Sequence, residues 1–336
     1  MKIAIHHRPG SFSDRWIDYC KQNNIDYVLV NVFDNDIINQ VLECDALMWH
    51  HHHAIFEDTL IAKNVMFALE HAGIKVFPNF NTAWHFDDKV AQKYLLEAIN
   101  APLVPSYVFY SKKEALKWAT QTTFPKVFKL KGGAGASNVK LLRNHSQCIT
   151  HINKAFGRGF SQFNRLGYLN DSFKKFRKNK DFRILLKGVY RAVIPTKFAR
   201  LASKERGYFY CQEFIPNNLF DIRVIVIDEK AFAVKRFVRK NDFRASGSGI
   251  LAYDIEQIPI ECVKISLDVA EKLNLQCVGF DFVLDENNRP LIVEMGYGFS
   301  VKAYDHCEGY WNRDLSFVRR SFNPQHWMVA SLIKTV

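Results

Sequence analysis

The chain has 336 residues, 48% of them hydrophobic and 24% charged. That length supports two or three subdomains with full-sized cores, and the composition is that of an ordinary soluble globular protein. Lys plus Arg outnumber Asp plus Glu by 46 to 34, yet no apolar run approaches the roughly 20 residues that cross a bilayer. The N-terminus, MKIAIHHRPG, has too few apolar residues before its histidines to read as a secretory signal. Seven scattered cysteines with no CxxC pair fit free thiols in a reducing cytoplasm, which is the expected location.

The first eighty residues alternate between two periods. KIAI, YVLVNV, DALMWH and KVFPN read as short buried strands, and RWIDYCKQNN and TLIAKNVMFALEHAG between them have helical spacing. The series predicts a parallel sheet with helices on both faces. RPGSFS after the first strand is not GxGxxG, so a dinucleotide site there is not expected. His50 to His53 follow the strand DALMWH, at the end where open parallel sheets place ligands. Side chains of a strand alternate faces, so only two of the four histidines could point together. That argues against a metal and for a solvated or substrate-facing loop.

A helix is expected from about Asp87 over DDKVAQKYLLEAIN, ended by APLVP. An α+β stretch then contains FPKVFKLKGGAGASNVKLL. Gly132, Gly133 and Gly135 allow backbone N–H groups to converge on an anion, with Lys129 and Lys131 beside them. The loop is no Walker A motif, and an unliganded glycine-rich turn explains it equally well when taken alone.

Arg165 to Arg206 holds 13 basic residues against Asp171, Asp181 and Glu205, which is 13 − 3 = +10 of the formal +12. The charge is therefore local, and its partner should be local too. FKKFRKNKDFRILLKGVYRAVI within it alternates cations with apolar residues. A solvated helical hairpin, or a docking surface for an acidic polymer or an anionic membrane face, fits that pattern. Nucleic acid is disfavoured because no recognised binding module accompanies the charge.

The last third reads as YFYCQEFI, the strands DIRVIVI, KAFAVKRFVR, VGFDFVL and PLIVEM, and a helix over KISLDVAEKLN. Arg236 and Arg244 flank RKNDFRASGSG, a flexible glycine-serine loop, and arginine suits bidentate carboxylate or phosphate contacts. In FDFVLDENNRPLIVEM, a two-residue turn at Asn287-Asn288 pairs positions whose numbers sum to 575. Glu286 then faces Arg289, Asp285 faces Pro290, and Asp281 faces Glu294. Opposed carboxylates on one face of a sheet repel, so they call for a raised pKa or a cation. Oxygen donors without nearby His or Cys suit Mg²⁺ before Zn²⁺. Rim residues, solvated or bonded to lysine, are the plainer alternative. The tail, HCEGYWNRDLSFVRRSFNPQHWMVASLI, is expected to pack as a final helix with Trp311 and Trp327 in the core.

Taken in order, QEFI, DIRV, NDFRASGSG, GFDFV and LIVEMG resemble the ATP-grasp superfamily, specifically its RimK and glutathione-synthetase-like ligases, over roughly residues 80–300. The resemblance implies an N-terminal Rossmann-like (pre-ATP-grasp) α/β domain, 1–82, and a two-subdomain α+β ATP-grasp fold. The central subdomain would be 83–210 with a basic insertion at about 156–207, and the C-terminal one 211–336. It further implies ATP- and Mg²⁺-dependent joining of a carboxylate to an amine, or to a thiol, through an acyl phosphate, with Mn²⁺ as the alternative ion. Surface-polysaccharide or peptide-conjugate modification is the pathway it suggests.

Carried over by position, Lys89 and Lys129 match the phosphate-binding lysines, with Lys131, Gly132, Gly133, Gly135 and Ser137 in the loop between strands. Glu213, Phe214 and Ile215 match the adenine-reading linker, and Asp221 the position near the ribose. Arg236 and Arg244 match the basic residues facing the transferred phosphate and the acyl phosphate. Asp281 and Glu294 match the Mg²⁺ ligands. Two positions depart: Gly296 stands where the family has a metal-binding Asn, and Asn138 where the loop carries glycine. They keep open a catalytically degenerate ATP-binding regulator or scaffold, and the basic segment keeps open a polyanion- or membrane-binding protein peripheral to the inner membrane face.

Overall fold

The computed structural model describes residues 1–133, 138–162, 172–173, 176, 180–183, 186, 190, 200–239 and 242–334. The first eighty residues form the expected series: β1 (Lys2–His6), α1 (Phe12–Gln22), β2 (Asp26–Val30), α2 (Ile37–Leu42), β3 (Ala46–Trp49), α3 (Phe56–His71) and β4 (Lys75–Phe77). The strands lie in the order β2-β1-β3-β4 and all pair in parallel. Ala4, Leu47, Trp49 and Val76 on one face meet Val41 of α2 and Val65, Met66 and Leu69 of α3. Ile3, Ile5, Met48 and Phe77 on the other face meet Phe12, Trp16 and Ile17 of α1. Cover on both faces is why β1 and β3 read as unbroken apolar runs, whereas β2, expected to be buried, is a half-buried edge strand with Leu29 exposed.

Two helices, α4 (Phe80–Ala83) and α5 (Lys89–Ala98), lead into a second sheet. Its elements are β5 (Ser106–Phe109), α6 (Lys112–Gln121), β6 (Lys126–Phe128), β7 (Lys140–Leu142), α7 (His145–Ala155) and β8 (Phe209–Glu213). The strands run antiparallel in the order β5-β8-β6-β7. Ser111 and Asn144 start α6 and α7 by accepting from the N–H groups of Glu114 and Gln147, which satisfies donors the helix itself leaves free. Ala115, Ala119, Cys148 and Ile152 then close over Phe128, Leu142, Phe209 and Cys211.

The third sheet holds β9 (Phe220–Ile227), β10 (Lys230–Phe237), β11 (Leu251–Ala252), β12 (Cys277–Leu284), β13 (Pro290–Gly296), β14 (Tyr310–Trp311) and β15 (Phe317–Val318). Its order is β13-β12-β9-β10-β14-β15, with β11 beside β10. The helix α8 (Ile260–Lys272) covers one face, where Ile222, Val224, Val226, Val278, Phe280 and Phe282 are buried. On the opposite face Ile225, Ile227, Phe232, Val234 and Cys277 share a core with Ile3, Ile5, Phe12 and Trp16 of the first sheet and α1. A final helix, α9 (Pro324–Lys334), enters the same core through Met328, Val329 and Leu332.

Two sequence expectations change here. The tail is not one helix: Tyr310 and Trp311 pair antiparallel with Val318 and Phe317 before α9 begins, and Trp311 is buried as expected. The β12–β13 hairpin does not turn on two residues. Asp285 N donates to Arg289 O, and Leu284 pairs with Pro290, so Glu286, Asn287 and Asn288 form a three-residue loop with Asn288 at φ 58°. Near the loop the paired numbers sum to 574. The register then shifts between Asp281 and Phe282, leaving Val293 as the extra residue of a β-bulge, and the sum becomes 575. Asp281 therefore does face Glu294, and Gly279 faces Gly296. The bulge also explains why Ile292 and Met295, three apart, both reach the α8 core while Glu294 turns the other way.

Candidate active site

The face of the third sheet that carries Ile225 and Cys277 deep in the core becomes polar toward one end. By strand alternation that face continues as Asp221 and Arg223 on β9, Arg236 on β10 and Asp281 on β12. Asp281 lies opposite Arg223, and Arg236 opposite Asp221. Arg223 donates to Asp281 at 2.6 and 3.3 Å, and Arg236 donates to Asp281 at 2.8 Å and to Asp221 at 2.6 and 2.7 Å. Burial by itself would raise the Asp281 pKa, but the two guanidiniums outweigh it and hold the carboxyl below the usual range. Asp281 is therefore an anion at neutral pH.

This polar end forms the floor of a cleft of about 2420 Å³ walled by the second and third sheets and by α1 and the loops that follow β1 and β3. Lys89, Lys129, Gly133, Glu213, Phe214, Ile215, Asp221, Arg244, Asp281 and Glu294 line it, as does Arg223. Lys89 is buried and its ammonium lies 3.1 Å from Glu294 Oε1 and 3.0 Å from Gly133 O. Burial would lower its pKa, yet the Glu294 and Asp87 carboxylates bring it above the ordinary value. Lys129 is 5% exposed, and among the described residues nothing hydrogen-bonds its ammonium. Burial pushes it down to about 8. A desolvated cation without a partner, on the wall of a cleft, is an anion site in waiting.

Other residues singled out from the sequence stand apart from the cleft lining or are engaged elsewhere. Arg236 is 7% exposed and sits behind Asp281 and Asp221 rather than at the cleft surface. Lys131 points outward to Asp88, 3.1 Å away. Gly132 packs against the carboxylates of Asp87 and Glu205. Arg244 lines the cleft while bonded to Asp242 at 2.7 and 2.8 Å. The Glu213 carboxylate is engaged by Lys126 at 2.7 and 2.8 Å and by Tyr107 at 2.9 Å, and the Glu213 backbone N–H donates to Pro105 O at 2.9 Å. Gly135, Ser137 and most of the basic segment 165–206 lie outside the described residues.

The histidine run is not a solvated loop. β3 ends at Trp49, so strand alternation does not govern the histidines beyond it, and His50, His52 and His53 all line the cleft. His50 stacks on Phe12 with ring centroids 3.7 Å apart, and His52 stacks on His53 at 4.3 Å. Burial lowers all four, His51 to about 3 and His52 to about 4, so this wall is neutral at pH 7. Arg8 beside it is held bidentately by the buried Asp58 at 3.0 Å from each oxygen.

Asp281 and Glu294 already have cationic partners, Arg223 and Arg236 for the one and Lys89 for the other, so a hard divalent cation would have to share them. Mg²⁺ takes one or two carboxylates and completes its shell with substrate phosphates and water, and Asp281 and Glu294 offer two such groups on the cleft wall. No cluster of three or more His, Cys, Asp or Glu side chains suited to a metal occurs among the described residues. Gly296 adds no donor, and the ring of Phe86 lies 3.5 Å from where its Cβ would be.

Residues 198–309 match the family model described as RimK-like ATP-grasp domain. The chain has the ATP-grasp fold. Solved structures agree on the ATP-grasp fold. D-alanine–D-alanine ligase from Bacillus anthracis superposes with a TM-score of 0.59 at 13% identity, covering 100% of this chain and 98% of that one. A RimK domain ATP-grasp protein from Sphaerobacter thermophilus gives 0.57 at 13%, with 99% of each chain covered. The biotin carboxylase domain of the Hydrogenobacter thermophilus 2-oxoglutarate carboxylase, solved with MgADP, ADP and bicarbonate, gives 0.60 at 14%, covering 99% and 69%. A comparison of the sequence with curated proteins finds no match. Among the described residues no helix is long and apolar enough to cross a membrane.

Sequence reasoning passed over Arg223, Asp87, Glu205 and Phe86. Arg223 was legible in principle: in DIRV it stands two residues after Asp221 and so shares its face. Asp87 and Glu205 carry no local signal, since their roles depend on chain segments 46 and 73 residues away from the amides they meet.

Proposed function

We propose that the chain is an ATP- and Mg²⁺-dependent ligase that joins a carboxylate to an amine through an acyl phosphate. The observation that carries this reading is the convergence in one cleft of Lys129, without a hydrogen-bond partner among the described residues, the carboxylates of Asp281 and Glu294, and Arg223. Lys129 and Lys89 would hold the nucleotide's phosphates, and the 213–215 backbone its base. Asp281 and Glu294 would hold Mg²⁺, which when bound neutralises phosphate charge. Arg223, now paired with Asp281, would orient the acceptor carboxylate and meet the charge on the transferred phosphoryl group. The carboxylate oxygen attacks the γ-phosphorus as the bond to ADP breaks; the amine then attacks the acyl carbon, phosphate leaves, and the amine's proton passes to solvent. The neutral wall of His50, His52 and His53 flanks the end of the cleft where that amine would approach, without opposing a cationic substrate by charge.

A nucleotide-binding protein without turnover is the second reading, supported by Gly296 and the Phe86 ring that covers it. ADP release on mixing ATP, Mg²⁺ and panels of acids and amines tests the first. Nucleotide binding that depends on Mg²⁺ with no ADP from any pair would favour the second, and no nucleotide binding at all would refute both.

A further inference from the structure

Three consecutive backbone N–H groups of the glycine-rich loop already point at carboxylates. Gly133 N donates to Asp87 Oδ1 and Oδ2 at 3.0 and 2.8 Å. Gly132 N donates to Glu205 Oε1 at 3.3 Å, and Lys131 N to Glu205 Oε2 at 3.1 Å and to the Tyr208 hydroxyl at 2.6 Å. A carboxylate is the side-chain group most like a phosphate, an anionic acceptor with more than one oxygen. A Cβ on Gly132 would stand 3.3 Å from both Asp87 Oδ2 and Glu205 Oε1, so glycine there is what lets the two acids come in together.

The two are not held alike. Glu205 is also bonded by Tyr208 and by Gln162 Nε2 at 2.9 Å, which makes it part of a braced group. Among the described residues, Gly133 N is the one hydrogen-bond donor to the Asp87 carboxylate. Asp87 sits at φ +55°, a backbone region that costs a non-glycine residue free energy. It lines the cleft with Gly133, and burial raises its pKa despite Lys89 and the Gly133 amide. Asp87 is thus a poorly supported anion in the place where a phosphate oxygen would be received.

We propose that Asp87 is a built-in competitor for the anion site at Gly133, displaced when a nucleotide's phosphates enter, while Glu205 stays as the brace of the loop. This rests on the nucleotide-binding reading above. Binding of ADP without metal, followed calorimetrically on the full chain, separates the two roles. Asp87→Asn keeps the shape and an acceptor oxygen but removes the charge, and should tighten ADP by about tenfold, the scale of one like-charge contact at partial screening. The gain should shrink as salt is raised. Glu205→Gln should leave ADP affinity the same or weaker. Unchanged or weakened binding in Asp87→Asn overturns the proposal. A structure of the wild-type chain with ADP tests it without any substitution, because Asp87 still bonded to Gly133 beside bound phosphates would also overturn it. If the wild-type chain binds no nucleotide, the proposed function fails; if it binds and Asp87→Asn shows no gain, this inference alone fails.

Discussion

On the proposed function, Lys129 should make nucleotide binding a proton-linked event with a calculable size. In the ligand-free chain its pKa is about 8, depressed by burial from 10.5. At pH 9 only about a tenth of the molecules carry the charge. A triphosphate beside the ammonium favours the charged form, and if it restores the ordinary value nearly all carry it, so binding takes up about 0.9 proton at pH 9. The phosphates themselves do not titrate there, their second pKa lying near 6. Affinity should then fall by about tenfold from pH 7 to pH 9. Folding stability has the opposite sign: the unfolded chain binds more protons between about 8 and 10.5, so the ligand-free protein gains stability as pH rises through that window. Calorimetry of nucleotide binding in buffers of different ionisation enthalpy reads the proton directly, with Lys129→Met as the control that should abolish uptake. A flat affinity from pH 7 to 9 with no proton taken up at pH 9 would refute the assignment of Lys129 as the phosphate-binding cation.

Asp281→Asn leaves Arg223 and Arg236 without their shared anion and should cost about 3–5 kcal/mol, read by chemical unfolding; nucleotide affinity should also lose its dependence on Mg²⁺. Arg223→Ala, by contrast, should bind nucleotide nearly as well as wild type but form ADP about 10² to 10³ times more slowly in an acid-dependent assay. Phe232 is fully buried and packs against the rings of Phe299, Tyr304, Phe322 and Trp327, so Phe232→Ala should destabilise by about 3–5 kcal/mol in denaturant melts without changing the cleft's ligand preference.

Much of the architecture was readable because strands covered on both faces and helices with a clear stripe declare themselves locally. KIAI, DALMWH and KISLDVAEKLN needed no tertiary information. The facing of Asp281 and Glu294 was reached by a register whose two errors cancel: the loop has three residues rather than two, and the bulge at Val293 restores the count. Plain alternation would have sent Glu294 to the same side as Ile292, into the α8 core, and no local sequence signal marks the bulge. The histidines were judged by strand geometry past the point where the strand ends. Arg236 was matched by position to a phosphate contact, yet it stands behind the floor bonded to two acids. The partners a side chain meets across the fold lie far away in the chain, as with Asp87 and Gly133, and single-sequence patterns do not report them.

The shared core of the first and third sheets has a mechanical meaning. Ile3, Phe12 and Trp16 are packed in one apolar mass with Ile225, Phe232 and Met328, and Arg15 and Asp305 clasp the same two bodies at 2.6 and 2.8 Å. The second sheet has a separate core; among the described residues Gln212 Nε2 donates to Val293 O at 3.2 Å, and Leu103, just before β5, bridges to Ile292. If the cleft takes a nucleotide as proposed, the second sheet should be the part that moves against the other two. Chemical-shift broadening on adding ADP should concentrate in residues 106–213; comparable motion of the first sheet against the third would contradict that division.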